Sequence, residues 1–230
     1  MMMAGVCYII SGGDLYGPQI EKREEDYIIA ADAGYRHLND LNVKCDMVLG
    51  DFDSIMAVPQ HEYLMRLNPE KDDTDTLAAI RIGMEKGYKE FHIYGATGGE
   101  RIDHTLANLQ CLAFMLDNNV TGYLYDHDTV ITMIRNSKLE FGAEYHGYIS
   151  VLSFSEISTY VNVRGLKYEL ENATLTSSFP IGVSNEFIGT DSVITVKDGT
   201  LLITYEDQRK VKEEKPTENK TEVQVDEDIN

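Results

Sequence analysis

Short apolar runs that each stop at a glycine- or aspartate-bearing loop constrain this chain more than any other feature. Val6-Cys7-Tyr8-Ile9-Ile10 stops at Ser11-Gly12-Gly13-Asp14, and Tyr27-Ile28-Ile29-Ala30-Ala31 stops at Asp32-Ala33-Gly34. Met47-Val48-Leu49 runs into Gly50-Asp51-Phe52-Asp53-Ser54, Phe91-His92-Ile93-Tyr94 into Gly95-Ala96-Thr97-Gly98-Gly99, and the run 122–125 into Asp126. Unbroken apolarity marks strands buried on both faces, as in parallel sheets. Helical stretches lie between them: Tyr35 to about Leu41, a segment after Pro59 covering His61 to Leu67, Thr74 to Lys86 closed by Gly87, and about Asp103 to Leu116. The alternation predicts a parallel three-layer α/β domain over residues 1–138. Ligands of such sheets bind at the carboxyl ends of the strands, where all these loops collect.

After about Leu139 the pattern changes. Tyr148 to Phe154, Tyr160 to Val163, Leu175 to Ser178, Ser192 to Val196 and Leu201 to Tyr205 read as strands, with turn residues between them. Lys197-Asp198-Gly199 reads as a hairpin turn joining the last two. Residues 139–206 are therefore expected to form a small all-β sandwich, near the lower size limit for folding alone and so leaning on the first domain or on a second subunit. Residues 207–230 are polar and charged, and are expected to be a disordered tail.

Two acidic clusters carry the chemistry. Asp51 and Asp53 stand at i and i+2, so an extended backbone points both carboxylates the same way. Like charges that close repel unless a cation neutralises them. Hard oxygen ligands beside an anionic substrate suit Mg²⁺, which takes one or two carboxylates and keeps waters. Asp72, Asp73 and Asp75 follow Lys71 at the start of a strongly helical stretch and could face the same ion. Helix capping, with Asp73 as the N-cap, accounts for one or two of these acids but not comfortably for three. A solvated Asp-rich turn is the plain reading of Asp51 and Asp53. A haloacid-dehalogenase-type phosphatase with a nucleophilic first Asp, or a sugar transferase holding metal through Asp-x-Asp, are rival readings whose partner motifs are not evident here.

Gly95-Ala96-Thr97-Gly98-Gly99 ahead of a helix fits a phosphate cradle, because free amides and the helix dipole attract anions. It lacks the Lys-Ser/Thr ending of a P-loop, and taken alone a tight strand-to-helix turn is the better explanation. Arg101 and His104 beside it favour phosphate binding, since Arg clamps phosphate oxygens bidentately. Asp103 could instead cap the helix, and Asp126-His127-Asp128 reads as a turn.

The formal net charge of −19 opposes binding to nucleic acid or an anionic membrane. From Glu206 onward nine acidic and five basic residues leave −15 on the body, so an acidic body that handles phosphates needs a divalent cation. Three scattered cysteines make neither a disulfide framework nor a zinc motif, and no run approaches membrane-spanning length. A reducing compartment, the cytoplasm, is expected.

The ordered set Ala31-Asp32-Ala33-Gly34, Gly50-Asp51-Phe52-Asp53-Ser54, Lys71-Asp72-Asp73-Thr74-Asp75 and Gly95 through His104 resembles the bacterial thiamine pyrophosphokinase family. Gly165-Leu166-Lys167-Tyr168 and Val183-Ser184-Asn185-Glu186 look like that family's C-terminal motifs. The resemblance runs from Ser11 to about Tyr205. It implies an α/β catalytic domain, a thiamine-binding β-sandwich and a homodimer with sites at the subunit interface. It further implies transfer of a diphosphate group from ATP to thiamine with Mg²⁺, giving AMP and thiamine diphosphate.

Carried over by motif, Asp51, Asp53, Asp73 and Asp75 would serve metal and polyphosphate, with Asp51, Asp53 and Asp73 as the metal ligands. Asp32, Lys71, Thr97, Gly98, Gly99, Arg101 and His104 would hold nucleotide. Asp103 would face the thiamine pyrimidine, and Ser184 and Asn185 would close the site from the β-domain. Two features depart from the family pattern. Animal members place a Trp against the substrate, whereas this chain has none, so Ile203 or Tyr205 would fill that place. Glu100 lengthens the loop before Arg101.

Overall fold

The computed structural model describes residues 5–18, 20–52, 61–68 and 73–209. The chain opens with β1 (Val6–Ile10), β2 (Tyr27–Ala31), α1 (Gly34–Asp40), β3 (Met47–Gly50) and β4 (Leu64–Arg66). Then come α2 (Asp75–Glu85), β5 (Glu90–Tyr94), α3 (Ile102–Asp117) and β6 (Thr121–Tyr125). The remaining strands are β7 (Thr129–Arg135), β8 (Lys138–Phe141), β9 (Tyr148–Ser153), β10 (Ile157–Arg164) and β11 (Leu170–Thr176). Last are β12 (Asn185–Glu186), β13 (Ser192–Thr195) and β14 (Thr200–Glu206).

Ten strands form one sheet in the order β12-β9-β14-β7-β6-β5-β1-β2-β3-β4, and four form a second in the order β11-β10-β13-β8. β1 to β6 pair in parallel, and from β6 to β7 onward the pairing is antiparallel. The molecule is thus a parallel α/β domain joined to an antiparallel β-sandwich. The two share a sheet. β7, β14, β9 and β12 extend the parallel sheet and are also one layer of the sandwich.

Strand alternation assigns the core. Cys7, Ile9, Ile29, Leu49, Phe91, Ile93 and Leu124 face Ala79 and Ile80 of α2 and Cys111, Leu112 and Met115 of α3. The intervening residues Tyr8, Ile10, Ile28, Ala30 and Val48 face Leu38 of α1 on the other side. Each fully buried Leu, Ile or Phe in these layers contributes roughly 1.5–3 kcal/mol relative to exposure. α2 approaches the sheet closely at Gly83, where an added Cβ would fall 2.9 Å from the Cys7 sulfur and 2.5 Å from Phe91 Cε1. The sandwich has its own core, centred on Val151, Val161, Val163, Leu175, Ile194, Leu201 and Ile203.

Three sequence expectations are corrected. Within the described residues after Pro59, Leu64–Arg66 is a strand rather than helix: β4 pairs in parallel with β3, matching Val48 to Leu64 and Leu49 to Met65. Edge pairing to a buried strand there outweighs local helix propensity. Lys197-Asp198-Gly199 does not close a hairpin, because β13 pairs with β10 and β8 whereas β14 pairs with β7 and β9. That turn carries the chain from one sheet to the other, with Thr159 and Asp198 bridging it. Finally, Ile203, one of the two residues expected to take the place of a substrate-facing Trp, has no exposed surface in this chain. It is fully buried in the sandwich core, and Tyr205 packs edge-on against Phe141.

Candidate active site

A cleft of about 570 Å³ opens at the carboxyl edge of the parallel strands. Its walls are the segments that follow β1, β2, β3 and β5, together with the first turns of α2 and α3. Of the residues singled out in the sequence, Asp32, Asp51, Asp73, Asp75, Thr97, Gly98, Gly99, Arg101 and His104 line it. Asp53 and Lys71 lie outside the described residues.

The acidic side is built by three loop ends. Asp32 follows β2 in a left-handed conformation (φ 47°), and its amide donates to Leu49 O at 2.7 Å. Gly50 makes the approach possible, since a Cβ there would stand 3.0 Å from Asp32 Cα. Asp51 then leaves β3 next to Phe52, whose ring is buried beneath it. Thr74, not Asp73, caps α2: its hydroxyl accepts from Leu77 N at 3.2 Å. This register puts Asp75 in the first helical turn and leaves Asp73 outside the helix, where Arg81 pairs with it at 3.1 Å. The result is that one carboxylate oxygen from each of Asp32, Asp51 and Asp75 lies within 4.8 Å of the others. Asp73 lines the same cleft but is engaged by Arg81.

Three hard, anionic oxygens from three separate elements repel one another, and a divalent cation relieves that repulsion. The donor set suits Mg²⁺: all oxygen, no imidazole or thiolate, and open to the cleft. The fit holds for Asp32, Asp51 and Asp75.

The opposite wall is the glycine turn. Gly98 and Gly99 are both left-handed (φ 68° and 74°). The buried amide of Asn108, on α3, donates to Ala96 O at 2.7 Å, and Thr97 Oγ1 donates to Asp126 Oδ1 at 2.9 Å. The Gly99 amide is not free as the sequence suggested: it donates to Asp14 Oδ2 at 2.9 Å. Asp14 and Asn108 escaped sequence reasoning. Asp14 had only a glycine turn as its setting, and Asn108 looked like a polar interruption of an apolar helix. Ser11, at the end of β1, joins the two walls through a 2.9 Å hydroxyl–hydroxyl bond to Thr76.

Arg101 stands at the mouth as the residue preceding α3, and Asp103 does not cap the helix. Instead Arg101 grips Asp103, with Nη2–Oδ2 at 2.5 Å and Nε–Oδ1 at 3.3 Å, both side chains largely in solvent. The hydrogen bond from Arg101 lowers the Asp103 carboxyl below its ordinary range and raises the guanidinium. Ser184 and Asn185 stand elsewhere. Asn185 opens β12 and Ser184 immediately precedes it, at the far end of the ten-stranded sheet from β2 and β3, and neither lines the cleft. Asn185 is buried and holds the Tyr168 backbone, accepting from Tyr168 N at 2.9 Å and donating to Tyr168 O at 2.7 Å. Ser184 is exposed and left-handed (φ 58°), its amide bonded to Ser150 Oγ at 3.1 Å.

Together these features define a class: an α/β protein with an acidic, glycine-walled cleft at its strand ends, continuous with a β-sandwich. Comparison with known proteins narrows it. The thiamin pyrophosphokinase catalytic-domain model matches residues 20–124, and the vitamin B1 binding-domain model of the same family matches residues 133–201. A thiamine pyrophosphokinase of Bacillus subtilis is 31% identical over 182 residues, covering 76% of this chain and 85% of the relative. The crystal structure of the Bacillus subtilis thiamine pyrophosphokinase superposes with a TM-score of 0.79 at 29% identity, covering 88% of this chain and 99% of that one. That of a thiamin pyrophosphokinase family protein from Enterococcus faecalis gives 0.76 at 27% identity, with 88% and 99% covered. The chain belongs to the thiamin pyrophosphokinase family.

Proposed function

We propose that this chain transfers the diphosphate group of ATP to the hydroxyl of thiamine, releasing AMP and thiamine diphosphate. The observation that carries the reading is the convergence of Asp32, Asp51 and Asp75 across the cleft from the Gly98-Gly99 turn. Those three carboxylates would hold Mg²⁺, with Asp53 of the same loop as a further ligand. The ion would supply charge neutralisation to the polyphosphate, the dominant requirement of phosphoryl-type transfer. Asp73 lines the cleft beside the three carboxylates, held by Arg81. Arg101 at the mouth offers a forked donor to a phosphate, for which Asp103 is the present occupant. Thr97, Gly98, Gly99 and His104 shape the nucleotide side of the cleft, with Lys71 from the acidic loop. A carboxylate of the acidic group accepts the proton of the thiamine hydroxyl as the new bond forms. The acidic cleft also favours the cationic thiazolium ring.

In this reading residues 1–138 bind ATP and Mg²⁺, residues 139–206 bind thiamine with Ser184 and Asn185 near the substrate, and residues 207–230 are a tail. Asp103 is paired with Arg101 at the mouth of the cleft, while Ser184 and Asn185 sit at the opposite end of the same sheet. A homodimer in which one copy's β12 region approaches the other's cleft reconciles them. Among the described residues no helix is long and apolar enough to cross a membrane, and the described cysteines are unpaired. The proposed setting is the cytoplasm.

The test is to incubate the protein with ATP, Mg²⁺ and thiamine and follow AMP and thiamine diphosphate. Equal amounts of both, abolished by EDTA and by Asp51→Asn, support the proposal. Release of ADP or inorganic phosphate instead would replace it with an ordinary kinase or a phosphatase.

A further inference from the structure

The glycine turn has no rigidity of its own. Gly98 and Gly99 are successive residues at positive φ, and each has a wide choice of conformations to lose on ordering. The segment after β1 supplies the missing restraint. Gly13 N donates to Gly95 O at 2.7 Å, Asp14 N to Thr97 O at 3.2 Å, and Gly99 N back to Asp14 Oδ2 at 2.9 Å. Tyr16 directs its hydroxyl to the same Asp14 oxygen at 3.3 Å. Two strand-end loops are thereby zipped along one edge, and among the described residues Asp14 is the one side chain in the zipper that bonds the Gly98-Gly99 pair.

Gly12, Gly13, Gly98 and Gly99 line the cleft, whereas Asp14 does not. Its carboxylate therefore takes the Gly99 amide on the outer side and does not occupy the space of a phosphate. An added Cβ on Gly98 would stand 2.5 Å from Asp14 Oδ2, so the carboxylate lies directly against the turn. We infer that Asp14 is a positioning residue for the nucleotide: by holding Gly99 it presets the Gly98-Gly99 turn, and with it the approach to Arg101, for the polyphosphate of ATP. This rests on the reading of the cleft as an ATP site and adds to it a residue that lies outside both matched family segments.

The experiment compares Asp14→Ala with Asp14→Asn. The amide oxygen of Asn still accepts from Gly99 N but carries no charge; Ala removes the acceptor. Binding of a non-hydrolysable ATP analogue with Mg²⁺ is measured by calorimetry, and KM for ATP, KM for thiamine and kcat are measured alongside. Loss of a hydrogen bond to a charged acceptor predicts about tenfold weaker nucleotide binding for Asp14→Ala. The Asn variant should stay within about threefold of the parent. KM for ATP should follow the same pattern, while KM for thiamine is unmoved, a split that general loosening of the fold would not produce. The inference is overturned if Asp14→Ala binds the analogue as tightly as the parent. It is equally overturned if binding becomes tighter, which would make Asp14 a competitor of phosphate. Equal losses in Asn and Ala, or a parallel rise in both KM values, also sink it. If the parent turns over normally and the variants match it, only this inference falls; if the parent binds no nucleotide, the reading of the cleft falls with it.

Discussion

The guanidinium carbon of Arg209 lies 3.8 Å from the centre of the Tyr125 ring. The same group forms a two-pronged pair with buried Asp207, at 2.9 and 2.8 Å, and donates to the Tyr94 hydroxyl at 2.9 Å. Tyr94 and Tyr125 stack at 4.6 Å and terminate β5 and β6, so the last described residue is locked to the root of the glycine turn. Arg209→Ala would remove the forked guanidinium pair from the buried Asp207 carboxylate, together with the cation–ring contact. A loss of about 2–4 kcal/mol is expected in urea unfolding. Arg209→Lys should recover part of it, because an ammonium cannot make the forked pair. Equal stability of the Ala variant and the parent would contradict this account.

Gly83 gives a test of helix packing. Alanine there would push α2 off Phe91 and Cys7, where the contacts of an added methyl group are too short to accept it. We expect a cost of about 1–3 kcal/mol, with a lower midpoint in thermal unfolding. An unchanged midpoint would mean that α2 can slide on the sheet.

The register of the acidic helix separates two neighbours. Asp75 belongs to the group of three carboxylates and Asp73 is paired to Arg81. Asp75→Asn should therefore lower AMP formation by about a hundredfold or more and weaken its Mg²⁺ dependence, on the scale seen for removing one electrostatic contact to the transition state. Asp73→Asn should cost less than about tenfold, since the Arg81 pair it breaks is partly exposed. The reverse order of effects would return Asp73 to the metal-binding role that the motif implied.

Asp103 has a pH signature. Its bond to Arg101 holds the carboxyl below its ordinary value. A group whose pKa is depressed by folding favours the folded form above its unfolded value and loses that contribution as pH falls through the lowered one. Carbon-detected NMR of Asp103 should give a midpoint below about 3.9, the usual Asp value, and Arg101→Gln should move it back toward that value. On the proposal that nucleotide phosphate takes Arg101, saturating ATP should also move it upward.

Much of the fold was legible because strand burial writes itself into sequence as unbroken apolar runs. Val6–Ile10, Tyr27–Ala31 and Phe91–Tyr94 all became strands, and their Gly- and Asp-bearing loops met in one cleft. What was not legible depends on pairing over distance. Leu64–Arg66 carries no strand signature of its own and is a strand through β3. Lys197-Asp198-Gly199 has hairpin chemistry, yet the partners of its flanking strands lie elsewhere in the chain. In the site, Asp51 could be picked from its strand end, but the choice between Asp73 and Asp75 turned on Thr74 being the cap. Asp14 and Asn108 act on the backbone of residues far away in sequence, a role that leaves no local trace.

The placement of β14 has a consequence for biosynthesis. This strand is hydrogen-bonded on both flanks, to β7 over Thr200–Glu206 and to β9 over Leu201–Tyr205. Until it leaves the ribosome, β7 and β9 each present an open edge of unpaired amides and carbonyls, and the sandwich core lacks Leu201 and Ile203. The nascent chain thus spends the translation of the whole sandwich with a gap in the middle of its largest sheet. β14 closes that gap and brings Arg209 against Tyr94 and Tyr125 at the foot of the glycine turn, so a chain cut before residue 200 would carry an adhesive, incomplete sheet rather than a smaller working domain.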